Sequence, residues 1–80
     1  MSKDEIFQCK MQFLDIQFKY LYKAMTDINL MNMQSEYDEL FYRYRLTNFK
    51  YVLKSDRKNG IIAFEPIGIE NKLILRGILA

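Results

Sequence analysis

Residues 2–28, SKDEIFQCKMQFLDIQFKYLYKAMTDI, decide how this chain folds. Ser2 followed three residues later by Glu5 is the signature of a capping box, which opens a helix. From there Phe7, Met11, Leu14, Phe18, Leu21, Met25 and Ile28 follow one another in unbroken steps of four and three, the heptad spacing of a helical seam. A second seam at the same spacing runs beside it: Ile6, Cys9, Phe13, Ile16 and Tyr20. A helix that packs against one neighbour needs one apolar stripe, so two stripes imply two neighbours. The opposite side carries Glu5, Gln8, Gln12, Asp15, Lys19 and Lys23, as a solvated face should. Within it Asp15 and Lys19 form an i,i+4 pair worth about 0.2–0.5 kcal/mol.

No glycine or proline interrupts this pattern before Asn29, which predicts one helix running to Ile28. A helix of about 26 residues is about 39 Å long. A compact domain of this size is only roughly 30 Å across. The helix is therefore expected to overhang its own domain or to be covered by another chain. The second seam argues for cover, and Ile6, Phe13, Ile16 and Tyr20 are the expected self-association surface of a homodimer.

Beyond this helix the signals change. Asn29 to Gln34 lacks periodicity and reads as a connection. Ser35 starts a second helix, with Glu36, Asp38 and Glu39 in the first turn, where carboxylates complement the helix dipole. Tyr37, Leu40, Phe41 and Tyr44 make its buried stripe. Segment 47–58 reads two ways. Either the helix runs on to Lys58 and stops at Asn59-Gly60, or it ends near Leu46. In the second case Phe49, Tyr51 and Leu53 alternate as a strand, with Asp56 to Gly60 as a hairpin loop. Ile61 to Phe64 form a strand, ended or bulged by Pro66 and Gly68. Glu70-Asn71-Lys72 then turns the chain into a return strand, Leu73 to Leu79. These strands are almost continuously apolar, so both of their faces are expected to be covered. The expected fold is α+β, in a single domain of residues 1–80: a long N-terminal helix, a second helix, and a C-terminal antiparallel β-hairpin or three-stranded meander.

Composition narrows the function classes. The chain has 80 residues, half of them hydrophobic, with six Phe and six Tyr, which is rich enough for a core and too rich for disorder. No apolar run is long enough to span a membrane. The start, Met-Ser-Lys-Asp-Glu, is acidic where a secretion signal is basic, so the expected location is cytoplasmic. Histidine is absent, which removes the commonest general base, zinc ligand and pH switch together. Ser2 and Ser35 read as helix caps. Cys9, the single cysteine, reads as a small buried hydrophobe. The three glycines form no phosphate-binding loop. The chain is therefore not expected to be an enzyme, and neither a cofactor nor a metal ion is expected. Phe, Tyr, Met, Ile, Asn and Lys, whose codons are AT-rich, make up nearly half the residues, a composition that hints at a phage, a mobile element or a low-GC bacterium.

Charge is uneven. Residues 1–40 carry four basic and seven acidic groups, whereas 41–58 carry six basic groups against Asp56. An acidic first half followed by a basic segment can steer the chain to an anionic partner or to a copy of itself. Aromatics interleave with the basic residues Arg43, Arg45, Lys50 and Lys54, a pattern that suits phosphate neutralisation and base stacking. Helices followed by a basic helix and a hairpin resemble a winged helix in outline, which implies a nucleic-acid-binding regulator. Against this, Asn29 to Gln34 leaves little room for a middle helix, and the expected hairpin tip, Glu65 to Lys72, carries two acids against one base. Tyr20, Tyr22, Tyr42 and Tyr51 are the other set that suits an interface. Met31 and Met33, placed in the connection, are expected to be exposed, and Met11 and Met25 to fill the core. The expected function is a small non-catalytic protein-binding module, a self-associating inhibitor or adaptor of phage or mobile-element type acting on another protein.

Overall fold

In a computed structural model the chain is described throughout except for Arg57, Asn59, Gly60 and the side chains of Ile61 and Ile62. Its elements follow in the order α1 (Lys3–Tyr20), α2 (Asp27–Arg43), β1 (Tyr51–Asp56), β2 (Ile61–Pro66) and α3 (Gly68–Leu79). The class is α+β, with helices on one side of a two-stranded antiparallel hairpin.

The capping box opens α1 as expected. The Ser2 hydroxyl accepts from the Glu5 backbone N–H at 3.2 Å, and the Glu5 carboxylate accepts from that of Ser2. The helix stops at Tyr20, however, and not at Ile28. A new N-terminus competes for the chain there. Thr26 caps α2, its hydroxyl accepting from the Asn29 N–H at 3.1 Å, while the Asn29 amide donates to the Ala24 carbonyl. Turning at residues 21–26 also lets α2 fold back along α1 and bury a shared stripe, which a straight 39 Å rod cannot do. The expected connection, Asn29 to Gln34, accordingly lies inside α2, and Ser35 sits exposed in mid-helix. Met33, Tyr37, Leu40 and Phe41 are the buried stripe of that longer helix. Met33 is thus in the core and Met11 is exposed, the reverse of expectation, while Met31 is exposed as expected.

The end of α2 explains why segment 47–58 is a strand. The Arg45 N–H donates to the Tyr42 carbonyl and the Leu46 N–H to that of Phe41, at 3.1 and 2.7 Å. This paired closure is a Schellman motif, which requires a left-handed residue after the cap. Arg45 occupies that position with φ 61°. Leu46 then folds onto the core and the chain reverses.

In the hairpin Tyr51 lies opposite Pro66 and Leu53 opposite Phe64. Tyr51, Leu53 and Phe64 pack on the helical core, whereas Val52, Lys54 and Glu65 are exposed. Lys54 and Glu65 form a 2.9 Å ion pair on that outer side. The outer face is therefore open and polar in part, not covered as its apolar content suggested. The expected loop, Asp56 to Gly60, contains the residues that lie outside the described ones.

The expected third strand is a helix. Glu70-Asn71-Lys72 does not turn the chain but forms the first turns of α3, and Leu73 to Leu79 continues it. Burial follows helical spacing: Ile78 is buried, and Leu75 and Leu79 pack on the core at i and i+4. Gly68 makes the corner with φ 79°, a conformation that L-residues other than glycine rarely adopt. Asn71 then ties the corner to β1. Its side-chain oxygen accepts from the Lys50 N–H at 3.1 Å, and its amide donates to the Ile67 carbonyl at 2.7 Å. A hairpin alone is too small to be stable, and α3 closes one end of the layer instead of a third strand.

These corners make opposite predictions. Arg45→Gly removes the cost of a left-handed side-chain-bearing residue and should stabilise the chain by about 0.5–1 kcal/mol. Gly68→Ala introduces that cost and should destabilise by about 1 kcal/mol or more. Thermal melts of the two variants beside wild type check both signs.

Candidate functional site

The two stripes of α1 lie roughly 140° apart around the helix at 100° per residue. Only one can face a single core. The structure buries the second stripe: Cys9 and Phe13 are 0% and 1% exposed, Tyr20 is 4% exposed, and Ile6 and Ile16 are half-buried. The residues expected to form the self-association surface, Ile6, Phe13, Ile16 and Tyr20, are thus the inward face of the chain itself. Phe13 meets Tyr37 at 5.1 Å between ring centroids and Phe64 edge-on at 5.0 Å. Tyr37, Phe41, Phe49, Tyr51 and Phe64 extend the cluster. Aromatic pairs at such distances contribute about 0.5–1.5 kcal/mol each beyond area burial.

Polar neighbours decide which stripe turns inward. Lys19, beside Tyr20, reaches Glu36 on α2 at 2.7 Å, and the Tyr20 hydroxyl donates to the other oxygen of that carboxylate. Gln12, beside Phe13, donates to the Tyr44 hydroxyl at 2.8 Å and accepts from Arg43. The expected Asp15–Lys19 pair is replaced by this link to α2. Lys19, Tyr20 and Gln12 find these partners only once α2 lies against α1, so no signal in the sequence alone told the two stripes apart.

The first stripe is left outside. Phe7, Met11, Leu14, Phe18 and Leu21 are all exposed, Phe18 by 70% and Phe7 by 58%. Tyr22 and Ile28, just beyond, are exposed too. Five apolar residues along about 21 Å of rigid helix form a continuous surface feature of the kind that marks an interaction site. Of the tyrosines set apart by sequence, Tyr22 and Tyr42 are exposed, Tyr51 is half-buried and Tyr20 is buried.

The groove between α1 and α2 holds about 260 Å³ and is lined by Gln12, Asp15, Glu36, Glu39 and Arg43 among others. Most of its polar groups are engaged with one another. Arg43 pairs with Glu39 at 3.4 Å and donates to Gln12, and Glu36 serves Lys19 and Tyr20. Among the described residues no cluster of three or more His, Cys, Asp or Glu is arranged to hold a metal ion. Burial pushes the Cys9 thiol up, which disfavours the reactive thiolate.

The basic residues do not share one helix face. Arg43 ends α2, Arg45 holds the left-handed corner, Lys50 precedes β1 and Lys54 lies on the outer face of the hairpin. Arg43 and Lys54 are paired with carboxylates. The third helix follows the hairpin instead of preceding it, so the order of elements departs from a winged helix. No helix among the described residues is long and apolar enough to cross a membrane. No family model, curated protein or solved structure matches this chain.

The inward face has a pH signature. Burial, then the hydrogen bond and charge of Glu36, pushes the Tyr20 phenol up to about 12. Burial also raises Tyr37, and burial with Asp38 raises Tyr51. An unfolded tyrosine ionises near 10. The stability these phenols contribute is fully present below about pH 10 and is lost as the pH rises towards and through the folded-state value. Tyr20, Tyr37 and Tyr51 should ionise late, together with loss of helical circular dichroism, when tyrosinate absorbance is followed up the pH scale. Ionisation of all the tyrosines near pH 10 with the helices intact contradicts this placement.

Proposed function

We propose that the protein is a non-catalytic protein-binding module that self-associates through the outer stripe of α1, and that it serves as an inhibitor or adaptor for another protein. The observation that carries this reading is the row Phe7, Met11, Leu14, Phe18 and Leu21, exposed along the full length of a helix whose other side is already anchored. Fully burying an aromatic or aliphatic side chain of this kind contributes about 1.5–3 kcal/mol before association costs. A free monomer gains nothing from holding such a row in water, whereas a partner helix laid along it gains most of that contribution. The sequence inventory supports the non-catalytic part, since histidine is absent and the single cysteine is buried. A phage or mobile-element origin fits the AT-rich composition. The nucleic-acid reading on Arg43, Arg45, Lys50 and Lys54 ranks behind it, because two of those four cations are already paired.

Light scattering tests the association. Wild type should have a mass above one chain that falls on dilution. Leu14→Glu with Phe18→Glu should give a single chain with unchanged helical circular dichroism, since neither side chain belongs to the core. A wild-type mass of one chain at all concentrations overturns self-association, and loss of helical signal in the double variant places the outer stripe inside the fold.

A further inference from the structure

We propose that the partner on the outer stripe of α1 is the α1 helix of a second copy, lying parallel and in register, a refinement that rests on the self-association proposed above. The spacing supplies the register. Phe7, Leu14 and Leu21 occupy one core position of a heptad, and Met11 and Phe18 the other. This stripe is two heptads long, shorter than an isolated coiled coil needs. Here the helix is already formed, by the Ser2–Glu5 capping box at one end and by Phe13 and Tyr20 in the core. Association therefore carries no cost of helix formation, which is the term that excludes short coiled coils in free peptides.

Area is sufficient. Five side chains exposed by 39–70% present on the order of 500 Å² per protomer, so a symmetric pair buries roughly 1,000 Å², the lower bound of a specific interface. The body of each protomer lies on the far side of its own α1, so two copies can meet along the stripe.

Charge selects the orientation. Lys3, Lys10 and Gln17 flank the stripe on one side, and Gln8, Asp15 and Tyr22 on the other. In a parallel pair each flank faces the opposite flank of its partner five residues on. Lys10 then meets Asp15 of the second copy, twice by symmetry, and Lys3 meets Gln8. In an antiparallel pair with Phe7 opposite Leu21 each flank faces its own kind, which places Asp15 near Asp15 and leaves Lys10 opposite the uncharged Gln17. Within the chain neither Lys10 nor Asp15 has an ion-pair partner among the described residues, so both are available for this contact. The outer stripe and its flanks thus specify a symmetric partner, which a general hydrophobic patch does not.

Disulfide trapping and charge exchange test the arrangement together. Cys9 is buried, so an introduced thiol is the accessible one. Under mild oxidation Phe7→Cys and Leu21→Cys should each form a covalent dimer with itself, and a mixture of the two should form no mixed dimer. Lys10→Glu and Asp15→Lys should each weaken dimerisation roughly three- to tenfold, and both changes in one chain should restore it. Mixed but no self-linked dimers mean an antiparallel pair, which overturns this proposal and leaves self-association standing. A dimer by light scattering that links in neither way uses another surface and also overturns it. A wild-type monomer overturns this proposal and the self-association reading together.

Discussion

Everything in this structure depends on where α1 puts Phe13. Its ring is enclosed by Tyr37 and Phe41 of α2 and by Phe64 of β2, so one side chain joins α1 and α2 to the hairpin. In a chain of this size a bit over ~60% of the unfolded surface can be buried, and stability is marginal. There is one core, and a cylinder can present only one stripe to it. Once Phe13 and Tyr20 are inside, Phe7, Leu14 and Phe18 are outside by helical geometry alone. The exposed row is thus the geometric complement of the buried one.

Charge and hydrogen bonding hold that choice in place. Glu36 joins Lys19 and Tyr20, and although burial works against its ionisation, the hydrogen bonds from Lys19 and Tyr20 hold its carboxyl below the usual range. Gln12 joins Tyr44 and Arg43 about two turns away. A rotation of α1 that brought the outer stripe inward breaks all of these contacts. Each is modest alone, since partly exposed ion pairs contribute about 0–1 kcal/mol. Their common effect is to fix which way the helix faces.

Much of this was legible in the residues. The capping box at Ser2 and Glu5, the two stripes of α1, the buried row Tyr37, Leu40 and Phe41, the alternation of Tyr51 and Leu53 and the strand at Ile61 all appear where their local patterns put them. Three features were hidden because they depend on competition between local signals. The heptad row continues through Met25 and Ile28, which masks both the stop after Tyr20 and Thr26 as the cap that begins the second helix. The apolar run Leu73–Leu79 fits a strand and a helix equally well by composition, and only the corner at Gly68 and the tie through Asn71 resolve it. The two stripes of α1 have the same spacing and similar hydrophobicity. Only their polar neighbours, read against partners on α2, show which faces inward, and such pairing is invisible until the chain is folded.

The structure buries α1 on one side against its own chain, and we propose that a second copy covers the other side. Hydroxyl-radical labelling read residue by residue by mass spectrometry, over a dilution series, tests it most directly. Phe13, Tyr20 and Tyr37 should stay protected at every concentration, while Phe7, Met11 and Phe18 should label strongly when dilute and become protected as concentration rises. Labelling of Phe13 as strong as that of Phe18 in the dilute protein, or no change at Phe18 with concentration, contradicts it.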